Sequence, residues 1–541
     1  MKVTRRRFLF SGAAAMGATT VVPAALPEIL SSGRSNHLDA VNTVSDWASA
    51  SIPVKIDIAA AQPVRVMAGG IGASIHAINA ELPGRKPSGG SSWSGSEWGG
   101  NPAGSDSRHW DDLFRHADWL GMDFCRVEFE QRIYEPAKRV FDWDNDEMKV
   151  LFRILDWAER RNVDVFLQQM WSNVAWNAYP SNVQDPIRRL RSGPYSMDEW
   201  AFGLGELLEH LVKVKKYTCI HWVSLWNEPL YDSFSWWQDG DMRVLPTTPG
   251  MKAAREEFDR RGLDIPITAY MDFDLIKLDK VDFDAYIGAY DTHRYDYVFD
   301  SQGGDDTSAN LSRAEQNMTV WAKWAHAKNK GMFLTEFGTV AYGAGHDDPG
   351  PVCYQSELKN ASLVVRGINA GIDGFNYWSF INRGDQDGQF QLVRTWDIAN
   401  NKLLEAFTPQ PNAYFQFAML SRFLPKHCGV LATRVEGPYL QRDRKLVATA
   451  LRTPKGGTTI LLVNEGYHPA DVNIVFDGLA KPLRLQRYSL TREAEDKTGV
   501  EIDPERSFEV DKTFADHVPA LSIVVYSTYD LKATDPGLIN E

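Results

Sequence analysis

Cysteine is scarce in this chain. Cys125, Cys219, Cys353 and Cys428 are spread over 541 residues with no metal-binding spacing. Cys125 and Cys219 sit in or beside apolar strand patterns and read as buried thiols; the sequence leaves open whether Cys353 and Cys428 pair. Positive charge is also short. Lys and Arg number 58 against 71 Asp and Glu, for a net charge of -13. The first 27 residues hold four basic residues and no acidic one, so the remainder carries -17. That balance argues against nucleic acid or an anionic membrane surface as a partner. Beyond residue 26 no run is long and apolar enough to span a bilayer. No G-x-G-x-x-G or P-loop follows the first strand pattern, so no nucleotide cofactor is expected. No H-x-H occupies that strand either; Ser74 and His76 hold the place, and no metal is expected. Finally, none of the 18 Trp residues lies beyond Trp396. The C-terminal part therefore lacks the aromatic platforms of a typical sugar-binding module, and a structural role is expected for it.

What the chain does have begins at its N-terminus. T-R-R-R-F-L-F precedes a small, apolar run from Ser11 to Leu26. A twin arginine before such a run reads as a twin-arginine export signal over residues 1–27, with a periplasmic or extracellular destination. The alternative is a basic tail. No cysteine follows the run, so no lipid anchor is expected. Replacing Arg5 and Arg6 by Lys is expected to strand the precursor in the cytoplasm; unimpaired export of that variant, followed by fractionation, would refute the signal.

From about Val64 to Phe380, short apolar runs alternate with amphipathic stretches, the signature of βα units around a parallel sheet. Eight strands are expected: Val64–Ile71, Phe124–Phe129, Val163–Gln168, Trp222–Trp226, Ile267–Met271, Ala285–Asp291, Met332–Thr335 and Gly374–Trp378. Helices are expected over His109–Leu120 and Glu147–Arg160. Eight repeats favour a closed (β/α)8 barrel over an open sheet. Loops following the early strands are long and aromatic, with Trp93, Trp98, Trp171, Trp176, Tyr179, Tyr195, Phe234, Trp236 and Trp237. They could stack on sugar rings or simply pack on the barrel top.

Two strand patterns end in a carboxylate: Glu228 in V-S-L-W-N-E-P and Glu336 in M-F-L-T-E-F-G. Two carboxylates facing one pocket are what glycosidic cleavage requires, one to protonate the leaving oxygen and one to attack or stabilise the sugar cation. On these motifs the chain resembles a clan A glycoside hydrolase over roughly Val64 to Phe423. The resemblance implies a (β/α)8 barrel, retaining chemistry on a β-linked carbohydrate, Glu228 as acid/base on strand four and Glu336 as nucleophile on strand seven. A family-five-like pattern further implies that Arg126 keeps the nucleophile ionised, with an ion pair to Glu128 or Glu130 as the alternative. It also implies that Asn227 binds the sugar 2-OH, that His293 meets the acid/base or a hydroxyl, that Tyr295 bonds the nucleophile, and that Trp378 floors the sugar subsite. Strand three departs from that family, offering Gln169 and Trp171 where a His is common.

After Phe423 the pattern becomes short strands between turns: Val430–Arg434, Leu446–Arg452, Thr458–Asn464, Val472–Phe476, Leu483–Leu490 and Ser522–Tyr526. This reads as a β-sandwich, resembling the accessory domain of families thirty and thirty-nine. Val54, Ile56 and Ile58 alternate with Lys55 and Asp57, an extra strand free to join that sheet. The expected organisation is a signal over 1–27, an N-terminal segment over 28–60, the catalytic barrel over 61–425 and the sandwich over 426–541. N-R-G-D-Q-D-G (382–388) offers Asn382 and Asp385 to hydroxyls, or forms an Asx-rich turn. Other readings are a catalytically inactive sugar-binding barrel, a transglycosylase and a metal-dependent hydrolase. The sugar, its linkage and the oligomeric state are not encoded in these patterns.

Overall fold

The computed structural model describes residues 51–77, 101–173, 175–179, 192–228, 247–271, 283–297, 308–340, 354–381, 391–397, 400, 402–410, 412–437, 446–491 and 502–528. Eight parallel strands close a barrel: β1 (Ile71–His76), β2 (Phe124–Phe129), β3 (Asp164–Gln169), β4 (Ile220–Ser224), β5 (Ile267–Tyr270), β6 (Ala289–Tyr297), β7 (Gly331–Val340) and β8 (Gly374–Tyr377), with β8 pairing β1. The expected helices form over Ser107–Leu120 and Asp146–Arg160. Asp106 caps the first through the amide of His109, and Asn145 caps the second through that of Met148, each accepting at a donor the first turn leaves unpaired. Their apolar faces, Trp110, Leu113, Phe114, Leu151 and Leu155 among them, belong to the main core around the barrel.

Several strand boundaries differ from the sequence expectation, the fourth strand running Ile220–Ser224 rather than Trp222–Trp226. The first barrel strand is Ile71–His76, not Val64–Ile71. Arg65 and Val66 instead pair with Gly429 and Val430 in the C-terminal sheet. Ile71, Ala73 and Ile75 join the outer core, whereas Gly72, Ser74 and His76 take the alternate face, which disguises the strand as a polar segment. Gly72 is obligatory here: a Cβ would sit 1.4 Å from the Phe124 carbonyl oxygen. The sixth strand begins at Ala289, since Asp284–Tyr286 forms a 3-10 turn, and it runs on to Tyr297. The seventh runs through Glu336 to Val340.

The barrel interior is layered. At the base, Phe124, Phe166, Trp222, Ala289 and Phe333 form a separate apolar cluster. One pleat higher come polar side chains: Arg126, Gln168, Asp291 and Thr335, the last donating to Asp291 at 3.0 Å. The register of β7 against β6 then slips, from Thr292↔Leu334 to His293↔Glu336. A shift also occurs against β8, between Phe375↔Leu334 and Tyr377↔Phe337. This bulge inserts one residue and reverses the alternation, so Thr335 and Glu336 both serve the interior while Phe337 joins the outer core.

The C-terminal sheet has ten strands in two layers. Gly429–Glu436 links them, pairing Leu446–Arg452 through residues 429–431 and the N-terminal strand Ile52–Ala59 through residues 432–436. Ile52–Ala59 also pairs parallel with Ala470–Asp477. Val54, Ile56 and Ile58 lie in one core with Ile460, Leu462, Ile474 and Val524. Leu446–Arg452, Thr458–Asn464 and Ser522–Ser527 are buried on both faces: Val447, Leu461 and Val525 belong to the barrel's core. Two strands, Arg506–Val510 and Thr513–Val518, escaped the sequence reading because charged residues interrupt each apolar row.

The helix Tyr354–Ala370 carries the junction. Tyr354 Oη donates to the Leu521 carbonyl at 2.6 Å and Asn369 Nδ2 to that of Ala448 at 2.9 Å. Arg366, 1% exposed, lies 3.1 Å from Glu315 and 3.3 Å from Glu465 of the sheet. No helix among the described residues is long and apolar enough to cross a membrane.

Candidate active site

The mouth of the barrel lies at the strand C-termini, and all seven residues singled out from sequence meet there. Glu228 is four residues past the end of β4, at a left-handed φ of 40°. It stands in irregular backbone past the strand rather than at the strand's end, contrary to the sequence expectation. Glu336 lies within β7 just after the bulge, and His293 and Tyr295 lie within β6 rather than after it. Carboxylate oxygens of Glu228 and Glu336, with a ring nitrogen of His293, all fall within 4.8 Å of one another.

Arg126 organises the floor. It is fully buried, and each face of its guanidinium fork finds an acceptor: Nε donates to Gln168 Oε1 at 2.7 Å, Nη2 to Asn227 Oδ1 at 2.7 Å and Nη1 to Glu336 Oε1 at 2.5 Å. Glu128 Oε1 lies 2.7 Å from the same Nη1. Arg126 therefore contacts both Glu336 and Glu128, while Glu130 pairs with Arg132. Gln168 Nε2 donates to Asn227 Oδ1 at 3.1 Å, fixing the amide that precedes Glu228. Tyr295 Oη donates to Glu336 Oε2 at 2.7 Å. Trp378, with Met170, Trp171 and Tyr295, makes a small apolar wall; its ring centroid is 5.5 Å from Arg126 Cζ.

These surroundings raise both carboxyls but give them different partners. Burial pushes Glu228 up to about 7; Arg126 opposes this and the charge of Glu128 reinforces it. Glu336 is raised as well: burial, with the charges of Glu228 and Glu128, outweighs the opposing His293 and Arg126. Hydrogen bonds from Arg126 and Tyr295 favour the ionised form of Glu336, since a carboxylate accepts both and a carboxylic acid would forfeit acceptor capacity. His293 Nδ1 lies 2.5 Å from Glu228 Oε1 and 3.3 Å from Glu336 Oε2. Burial pulls this imidazole down to about 4, so it is neutral at neutral pH. It can then accept from a protonated Glu228 or donate to an ionised one.

Sequence reasoning missed Gln168, Asp291 and His76, and weighed Glu128 only as a salt-bridge partner. Glu128 was legible: it shares a strand face with Arg126 two residues away. His76 was hidden by the misplaced first strand. Among the aromatic loop residues, Trp171 is buried, Trp176 Nε1 donates to the Glu135 carbonyl at 3.3 Å, and Tyr179 stacks edge-on against Tyr195 at 5.4 Å. Trp93, Trp98, Phe234, Trp236, Trp237, Asn382, Asp385, Cys353 and residues 1–27 lie outside the described residues. Cys125, Cys219 and Cys428 are buried free thiols.

The fold is that of the clan A glycoside hydrolases, an eight-stranded parallel barrel joined to a β-domain. The chain is similar to a GH30 endoxylanase from Clostridium papyrosolvens C71, with a TM-score of 0.56, 14% identity, and coverage of 88% of this chain and 99% of that one. It is similar also to an alpha-L-arabinofuranosidase from Thermotoga maritima, with a TM-score of 0.57, 12% identity, and coverage of 88% and 99%. A third similar structure is an endo-beta1,6-glucanase, with a TM-score of 0.53, 15% identity, and coverage of 88% and 93%. No family model matches the sequence, and no curated protein matches it.

Proposed function

We propose that the chain is a retaining β-glycoside hydrolase acting on a β-linked oligosaccharide, polysaccharide or glycoconjugate. The observation that carries this reading is the pairing of two carboxyls at the barrel mouth within 4.8 Å, one pushed to about 7 and one held by Arg126 and Tyr295. Retaining enzymes hold their carboxyls ~5–5.5 Å apart, whereas inverting ones need ~6.5–9.5 Å to admit a water. That similar structures include an endoxylanase and an endo-beta1,6-glucanase supports a carbohydrate substrate.

In the first step Glu228 gives its proton to the leaving oxygen as Glu336 attacks the anomeric carbon. Glu228, now ionised, takes a proton from water, and the hydroxide equivalent releases the sugar from Glu336. Asn227 is oriented by Arg126 and Gln168 toward the sugar 2-OH, and Trp378 supplies the apolar floor. No cofactor enters. Export by the twin-arginine route, periplasmic or extracellular, completes the reading.

A panel of aryl β-glycosides and β-linked polysaccharides tests it, with early product configuration followed by NMR. Retention is expected, and an inverted first product would overturn the role of Glu336. Transglycosylation would appear as new glycosides when acceptor sugars are added, and an inert sugar-binding barrel would turn over nothing. EDTA is expected to leave the rate unchanged. Because Glu228 must begin protonated and its carboxyl sits near 7, kcat/KM is expected to fall about tenfold per pH unit above roughly pH 7. A profile flat to pH 9 would remove Glu228 as the acid.

A further inference from the structure

Arg126 serves two masters. Its Nη1 lies between Glu336 Oε1 at 2.5 Å and Glu128 Oε1 at 2.7 Å, so one nitrogen is shared by two carboxylates. The far oxygen of Glu128, Oε2, pairs with His76 Nδ1 on β1. Both side chains of that pair are fully buried. Burial pushes the Glu128 carboxyl up, but Arg126 and His76 more than offset it and hold the group below the usual range. Glu128 is thus a permanent buried anion that the proposed double displacement does not use.

We propose that Glu128, braced by His76, is a positioning residue that divides the Arg126 guanidinium between two carboxylates and so limits how strongly this cation bears on the catalytic pair. The inference rests on the glycosidase reading above. Without Glu128, Nη1 would bear on Glu336 alone, while Nη2 and Nε keep Asn227 and Gln168. A carboxylate so strongly paired is a weaker nucleophile, and an acid relieved of a neighbouring anion gives up its proton at lower pH. The charged and titratable groups bearing on Glu228 are Arg126 and Glu128 from β2, His293 and Tyr295 from β6, and Glu336 from β7. Those bearing on Glu128 are His76, Arg126 and His293, with the carboxyls of Glu228 and Glu336. Asp291 acts on Arg126 and His293.

The test is Glu128→Gln in the full chain, read by two measurements. Both limbs of the kcat/KM profile are expected to move to lower pH by roughly 0.5–1 unit. The Glu228 side-chain carbon, followed by 13C NMR and assigned by its loss in Glu228→Gln, is expected to titrate lower by the same amount. Glu128→Asp, which keeps the charge, should restore the wild-type profile. Should Glu128→Gln fail to fold by circular dichroism, Glu128→Met removes the charge at nearly the same volume, and the same shift is expected. A purely structural Glu128 would lower the melting temperature and the rate at every pH while leaving both limbs and the NMR titration in place, which overturns the proposal. If the wild type hydrolyses nothing but the NMR shift is present, the glycosidase reading fails and the coupling stands. If the wild type is active and the titration does not move, this inference alone fails.

Discussion

Glu336→Gln is expected to keep the fold and lose turnover, by on the order of 10⁴-fold or more. The amide still accepts from Arg126 and Tyr295 but cannot form the covalent ester. Glu228→Ala is expected to divide by substrate. Its loss should be on the order of 10²–10⁴-fold with poor leaving groups, which need the proton. With activated aryl glycosides the first step should be nearly spared, because the departing phenolate is stable unprotonated. The second step then stalls, and azide, entering the space the side chain vacates, should restore it and yield a glycosyl azide of retained configuration. Steady-state kinetics with and without azide, and NMR of the product, decide the matter. Equal loss on all substrates with no rescue would assign acid/base work elsewhere.

The second large effect concerns stability. Arg366→Ala is expected to destabilise the chain by about 3–5 kcal/mol. The guanidinium is 1% exposed, and its partner Glu465 is 6% exposed, so removing the cation leaves a carboxylate dry and, among the described residues, without a counter-ion at the barrel–sheet junction, held only by the Ser362 hydroxyl. Because the same helix also ties Leu521 and Ala448, one cooperative transition is expected in both wild type and variant. An unchanged melting temperature, or two separated transitions in the wild type by calorimetry, would contradict this picture of the junction.

Much of the barrel was legible because its strands keep at least one apolar row, as in Phe124–Phe129, which is a strand with the expected bounds and carries Cys125, Val127 and Phe129 outward although Arg126 and Glu128 face in. The first strand was not, since its inner face is Gly72, Ser74 and His76, chosen for a tight backbone approach and a polar layer rather than for hydrophobicity. Arg126, Asn227, His293, Tyr295 and Trp378 are expected near the two glutamates, with their partners there, only through the family-five-like resemblance. The contacts of Glu128, Gln168 and Asp291 have no such guide. The bulge at Thr335 leaves no mark in M-F-L-T-E-F-G, yet it decides that Glu336 rather than Phe337 points inward. Likewise nothing in W-N-E-P announces the left-handed backbone at Glu228. Both are tertiary outcomes, set by neighbouring strands rather than by local preference.

The strand Ile52–Ala59 has a consequence for how this chain can be divided. It leaves the ribosome before any barrel strand, yet its partners, Gly429–Glu436 and Ala470–Asp477, emerge more than three hundred residues later. Until then Val54, Ile56 and Ile58 have no apolar surface of their own to cover them, and the last layer closes only when synthesis is nearly complete. Cutting at residue 425 would leave that strand orphaned on one fragment and open a slot through the middle of the other. A usable C-terminal fragment would have to carry residues 52–59 with it, for instance by fusing them through a linker ahead of Gly429 in a permuted chain.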